Sequence, residues 1–155
     1  MKIKLKPCYP GKPTLAEQLE AVKSEYEEVL EAAEKNDWKE TCKELLDLMQ
    51  TIVGYYDIMS SNWQGHILSK EVSPVPGINL KTLKYFWTYY NDKNFKKKIG
   101  ITLAELYWIA EINFQKTIKE NDRGCKKIRN EIIEQLLDEH YQKLERRKEE
   151  WENEK

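Results

Sequence analysis

Two acidic pairs in this chain share one spacing, Glu25-x-x-Glu28 and Glu44-x-x-Asp47. Residues three apart on a helix stand ~5–6 Å from each other at Cβ, so each pair offers two carboxylates side by side. Two carboxylates ~5 Å apart repel by roughly 3 kcal/mol at an effective dielectric of ~20. Four of them converging therefore need a strong counter-charge. A hard divalent cation supplies it, and an all-oxygen set of flexible carboxylates suits Mg²⁺, with Mn²⁺ as the alternative. Zinc fits poorly, because the chain has only two histidines and three scattered cysteines. A di-iron carboxylate bundle would need Glu-x-x-His on two helices. The residue three before His140 is Leu137, and His66 falls in a stretch that reads as loop.

Acidic pairs at this spacing also occur at Glu17/Glu20, Glu131/Glu134 and Glu149/Glu152, where a solvated helix face explains them. Two details set the first two pairs apart. Asp47 interrupts the apolar run of Glu44-Leu-Leu-Asp47-Leu-Met, where burial is expected. Aspartate is a poor helix-interior residue, and a buried carboxylate is costly unless it is paired or holds a metal. Lys43, one turn earlier, is a candidate partner. The second detail is position: in a hairpin turning near residue 36, Glu28 lies as far from the turn as Glu44, and Glu25 as far as Asp47.

The helices that would hold these pairs are legible. Thr14-Leu-Ala-Glu17, Asp37-Trp-Lys-Glu40 and Thr102-Leu-Ala-Glu105 each place an N-cap acceptor three residues before a glutamate. After Thr14, Leu15, Leu19, Val22, Tyr26, Val29 and Ala33 recur at steps of three and four. After Asp37 the stripe is broader, with Leu45, Leu48, Met49, Ile52, Val53 and Tyr56. The short link between them makes an antiparallel hairpin over 14–59. SSNWQGH and SPVPG read as loop over 60–79. Further helices are expected over 80–90, over 102–121 after a break at Gly100, and over 125–151. The last carries Ile128, Ile132, Leu136, Tyr141 and Leu144. No strand pattern emerges, and the expected class is all-α: a single domain, a four- to five-helix bundle built on the hairpin.

Composition narrows the function. The 155 residues carry a net charge of −1 with 34% charged residues, which disfavours a dedicated nucleic-acid binder. No apolar run approaches the ~18 residues of a membrane span. MKIKLKPCYPG lacks the apolar stretch of a signal peptide. Cys8, Cys42 and Cys125 form no C-x-x-C pair and read as structural thiols. A cytoplasmic protein without a membrane partner is expected.

Glu25-x-x-Glu28-Val-Leu-Glu-Ala, then fifteen residues between Glu28 and Glu44, then Glu44-Leu-Leu-Asp47-Leu, resembles the MazG-like, all-α nucleoside triphosphate pyrophosphohydrolases. The similarity covers residues 15 to about 58. It implies that Glu25, Glu28, Glu44 and Asp47 ligate one or two Mg²⁺ ions and form the catalytic centre. The implied reaction is hydrolysis of an NTP or dNTP at the α-phosphorus, giving a nucleoside monophosphate and pyrophosphate. The general base would be a carboxylate of the cluster or a neighbour such as Glu31. The resemblance also implies a basic patch on the phosphates, for which Lys116, Asn121 and Arg123 are the candidates. For Lys116 and Arg123 a basic helix end offsetting the helix dipole is the competing reading. It further implies a homodimer or homotetramer. Asp47→Asn is expected to abolish turnover and leave the fold intact or more stable.

For the base, Trp38, Trp63 and the aromatic run from Tyr85 to Tyr90 offer stacking faces, although aromatics at helical spacing usually serve the core. Trp63 is the preferred candidate because its neighbours are polar. Two readings compete with the enzyme: a helical protein that binds a nucleotide or a partner without turnover, and a single-strand nucleic-acid binder using Lys93, Lys96, Lys97 and Lys98.

Overall fold

The computed structural model describes residues 3, 5–9, 11, 13–59 and 99–153, except the side chains of 99–102 and 105. Four helices follow in order: α1 (Leu15–Glu34), α2 (Trp38–Met59), α3 (Ile99–Asn121) and α4 (Lys126–Asn153). No strand occurs among the described residues, and the fold is an all-α bundle. The expected loop over 60–79, the helix over 80–90, Trp63, Tyr85 to Tyr90 and the lysines at 93–98 lie outside the described residues. No described helix is long and apolar enough to cross a membrane.

The hairpin forms as its caps require. Thr14 Oγ1 accepts from the Glu17 backbone N–H at 3.1 Å, and Asp37 Oδ1 accepts from that of Glu40 at 3.1 Å. Each satisfies a backbone donor that the first helical turn leaves unpaired. Between the helices Asn36 takes a left-handed conformation, φ 55°, which asparagine tolerates better than most residues. The turn sends α2 back along α1, and Val22, Tyr26, Val29 and Ala32 are buried against it. Each large apolar side chain buried in this way contributes ~1.5–3 kcal/mol.

The central helix is α2, which packs on α1, α3 and α4. Its burial runs almost unbroken from Leu45 to Tyr56, the mark of a helix covered on all sides. The densest part of α3, from Leu103 to Ala110 with Phe114 and Ile118, completes the core. Two expectations need correction. The third helix begins at Ile99, not Thr102, so Gly100 lies inside it. In a first turn the backbone N–H groups lack helical partners anyway, and a glycine there does not break the ladder. The last helix is also rotated from its expected stripe. Ile133, Leu136 and His140 are its buried residues, whereas Ile128 and Tyr141 are exposed. The reason is polar: α4 turns His140 and Lys143 onto Asp47.

An extended N-terminal segment crosses the bundle. The Ile3 backbone N–H donates to Glu111 Oε1 at 2.7 Å and its carbonyl accepts from Tyr107 Oη at 2.5 Å. Leu5 is buried, the Lys6 carbonyl accepts from Gln50 Nε2, and Tyr9 Oη donates to Asp57 Oδ2 at 2.6 Å. Gly54 makes room for this segment, since a Cβ there would stand 2.6 Å from Gln18 Nε2 and 3.3 Å from the Tyr9 ring. The three cysteines are free thiols.

Candidate metal centre

Glu25 and Glu28 stand on neighbouring turns of α1, and Glu44 faces them from α2. One carboxylate oxygen of each lies within 4.8 Å of the others. Glu28 is exposed while Glu25 and Glu44 are half-buried, so the cluster is reached from solvent on one side. On the inner side, Glu25 Oε2 and Glu44 Oε2 are buried and accept no hydrogen bond among the described residues. Buried polar atoms are nearly always paired, and an unpaired carboxylate oxygen is costly. The donor set fits a hard cation: oxygen only, two helices, and inner lone pairs unused.

The electrostatics agree. Burial raises Glu25 to about 8, and the charge on Asp47 and a hydrogen bond with Glu28 add to it. Glu44 is likewise raised to about 8, first by burial and then by Glu28 and Asp47. Both carboxyls thus bind a proton more tightly than an ordinary glutamate.

Asp47 is different. It is only 5% exposed, as its place in an apolar run demands. Burial alone would raise its proton affinity, but His140 and Lys143 outweigh that and hold it below the usual aspartate value. Lys143 Nζ donates to Asp47 Oδ2, and His140 Nδ1 stands 3.4 Å from Oδ1. Gln50 fixes the ring from behind: its Nε2 donates to the Lys6 carbonyl, leaving Oε1 to accept from His140 Nε2–H at 3.1 Å. A chain of polar contacts thus runs from the N-terminal segment to the fourth acid. Lys43, the partner considered from sequence, instead meets Glu139 at 3.6 Å on the surface. Glu31 is exposed and bonded to Lys35.

Trp63 lies outside the described residues, and Lys116, Asn121 and Arg123 do not line the small cavity that Glu25 and Asp47 share. Lys116 is exposed on α3, and Asn121 spends its amide on the Thr117 carbonyl at 2.8 Å. Arg123 is exposed at the α3–α4 turn with φ 56°, separated from Lys143 by about 25 Å of helix. The patch has structural work: buried Asp122 accepts from the Gly124 N–H and from Arg129 Nε, fixing the turn. Trp38 packs on the core with Lys39 Nζ 5.6 Å from its ring centroid.

Sequence reasoning passed over the cationic face of α4. His140, Lys143 and Arg147 recur at steps of three and four, a signal present in the sequence but hidden among the charges of the last helix. Arg147 lines a small cavity with Glu25 and Asp47. No protein-family model, no curated protein and no solved structure matches this chain.

Proposed function

We propose that the chain is a Mg²⁺-dependent nucleoside triphosphate pyrophosphohydrolase, converting an NTP or dNTP to the monophosphate and pyrophosphate. One observation carries the reading: Glu25, Glu28 and Glu44 converge to within 4.8 Å, with two buried carboxylate oxygens that accept no hydrogen bond among the described residues. The similarity of the two acidic pairs to the MazG-like pattern supplies the reaction class. A bound divalent ion neutralises phosphate charge and eases ionisation of water. Glu25, Glu28 and Glu44 would hold that ion through their carboxylates. Asp47 adds negative charge behind them. Lys143 and His140 keep it ionised and fixed in orientation, and positioning of this kind is most of what phosphoryl chemistry asks of a protein.

The test is purified protein with Mg²⁺ and a panel of NTPs and dNTPs, measuring pyrophosphate, monophosphate and orthophosphate. Pyrophosphate and monophosphate in equal amounts are expected; orthophosphate release, or no turnover of any nucleotide, rejects the proposal. A second reading draws on the basic residues beside Asp47, Lys143 and Arg147: a nucleotide-binding protein without turnover. Nucleotide affinity in the absence of products would favour it.

A further inference from the structure

Along α4, Lys143, Arg147 and Trp151 are spaced four apart and share one face. Lys143 sits on Asp47. One turn on, half-buried Arg147 enters a cavity of about 130 Å³ that Glu25 and Asp47 also line. Among the described residues its guanidinium makes no hydrogen bond or ion pair. A planar fork withdrawn from water with its donors unused suits an oxyanion, which it can take bidentately. A further ~6 Å along the helix comes Trp151.

Beside this cavity lies a cleft of about 680 Å³, and Tyr9, Leu144 and Trp151 line both. The size suits a small organic ligand. Tyr141 adds a third ring, and Lys148 stands at the wall. In one direction along α4 the surroundings pass from clustered carboxylates, through the Arg147 cation, to aromatic faces. A nucleoside phosphate bound through a divalent ion presents the complementary order: metal-bound phosphate, free phosphate oxygens, then a planar base.

We infer that Arg147 binds the phosphates of a nucleoside triphosphate and that the cleft walled by Tyr9 and Trp151 seats its base. This rests on the reading of the carboxylate cluster as a centre that handles phosphate. It moves substrate contacts from the α3–α4 turn to the distal half of α4, and it gives the pinned N-terminal segment a purpose, since that segment carries Tyr9 to the cleft.

The experiment is calorimetric titration of the full chain in Ca²⁺ with the four dNTPs, the four NTPs and inorganic tripolyphosphate, which has the phosphates without a base. Arg147→Met should weaken nucleotide and tripolyphosphate alike by roughly tenfold, with Arg147→Lys in between. Trp151→Ala should weaken the best nucleotide by roughly tenfold and tripolyphosphate by less than about twofold, with Trp151→Phe restoring affinity. The inference is overturned if either residue can be changed without loss of nucleotide affinity, if Trp151→Ala weakens both ligands equally, or if the wild-type chain binds no nucleotide more tightly than tripolyphosphate. The pattern without pyrophosphate release would reject the hydrolase and keep the cleft. Turnover at wild-type KM in both variants would reject the cleft and keep the hydrolase.

Discussion

Lys143 Nζ lies 2.5 Å from Asp47 Oδ2, joining the last helix to the centre of the second across 96 residues of sequence. The contact makes a buried aspartate tolerable and holds it ionised. Its neighbours Glu25 and Glu44 have no cation bonded to them among the described residues, and both are pushed up to about 8. One small region therefore contains a carboxylate paired with a lysine and two carboxyls whose proton affinity is raised.

That contrast sets a pH dependence. Glu25 and Glu44 bind protons more tightly in the folded chain than at their ordinary value of 4.5. Their contribution to stability is present in full below pH ~4.5 and is lost as pH rises through ~8. In a chelator, Tm should fall by a few degrees between pH 6 and pH 9, and millimolar Mg²⁺ or Mn²⁺ should reverse most of the fall. A chelated protein equally stable across this range would remove the electrostatic basis of the site.

Glu25→Gln and Glu44→Gln each delete one of the mutually repelling charges. In chelator at pH 8.5 both variants should melt higher than the parent chain. Neither should gain stability from Mg²⁺, and turnover should fall by about a hundredfold or more, beyond the usual cost of losing a residue behind a metal ligand. Differential scanning fluorimetry with and without Mg²⁺ reads the first two effects, and the pyrophosphate assay the third.

Asp47→Asn behaves otherwise than the sequence alone suggests. From the sequence, neutralising this aspartate is expected to leave the fold intact or more stable. Here it removes the acceptor of a charge-assisted bond from Lys143 and leaves that ammonium 30% exposed and unpaired. A hydrogen bond to a charged group contributes ~1.5–3 kcal/mol, reduced here by partial solvent access. At pH 6, where Glu25 and Glu44 are largely protonated and repulsion is small, the variant should lose about 1–2 kcal/mol in urea denaturation. Equal or greater stability at that pH would mean the Lys143 contact contributes nothing.

Gly54→Ala weighs two effects of opposite sign. Alanine in a helix gains up to ~1 kcal/mol over glycine. Against that, the new Cβ would displace Gln18, whose Nε2 donates to the Thr51 carbonyl at 2.9 Å, and crowd Tyr9. Leaving the buried Gln18 amide without its acceptor costs ~1–3 kcal/mol, so a net loss of about 1 kcal/mol is expected. Faster hydrogen exchange over residues 5–9 should accompany it. A stabilised variant would show that Gln18 and Tyr9 yield freely.

The hairpin was readable because its information is local. Caps at Thr14 and Asp37, a three-residue link and apolar steps of three and four define two helices and the facing of Glu25 and Glu28 with Glu44. Gly100 misled because a glycine's effect depends on its place within a helix. The stripe of the last helix misled because Ile128, Tyr141 and His140 compete for one inward face, and hydropathy does not register that a buried aspartate elsewhere requires a cation. Composition and spacing pointed to a helical chain and to four carboxylates facing one another across one hairpin; Glu25, Glu28 and Glu44 converge, and Asp47 is paired with Lys143 instead. Only tertiary structure decided which distant residues meet Asp47, and that the N-terminal segment and the end of α4 enclose a cleft beside it. Contacts such as Asp47 with Lys143, or Ile3 with Tyr107, join residues about a hundred positions apart. No repeat or periodicity ties such residues together, so packing alone selects them.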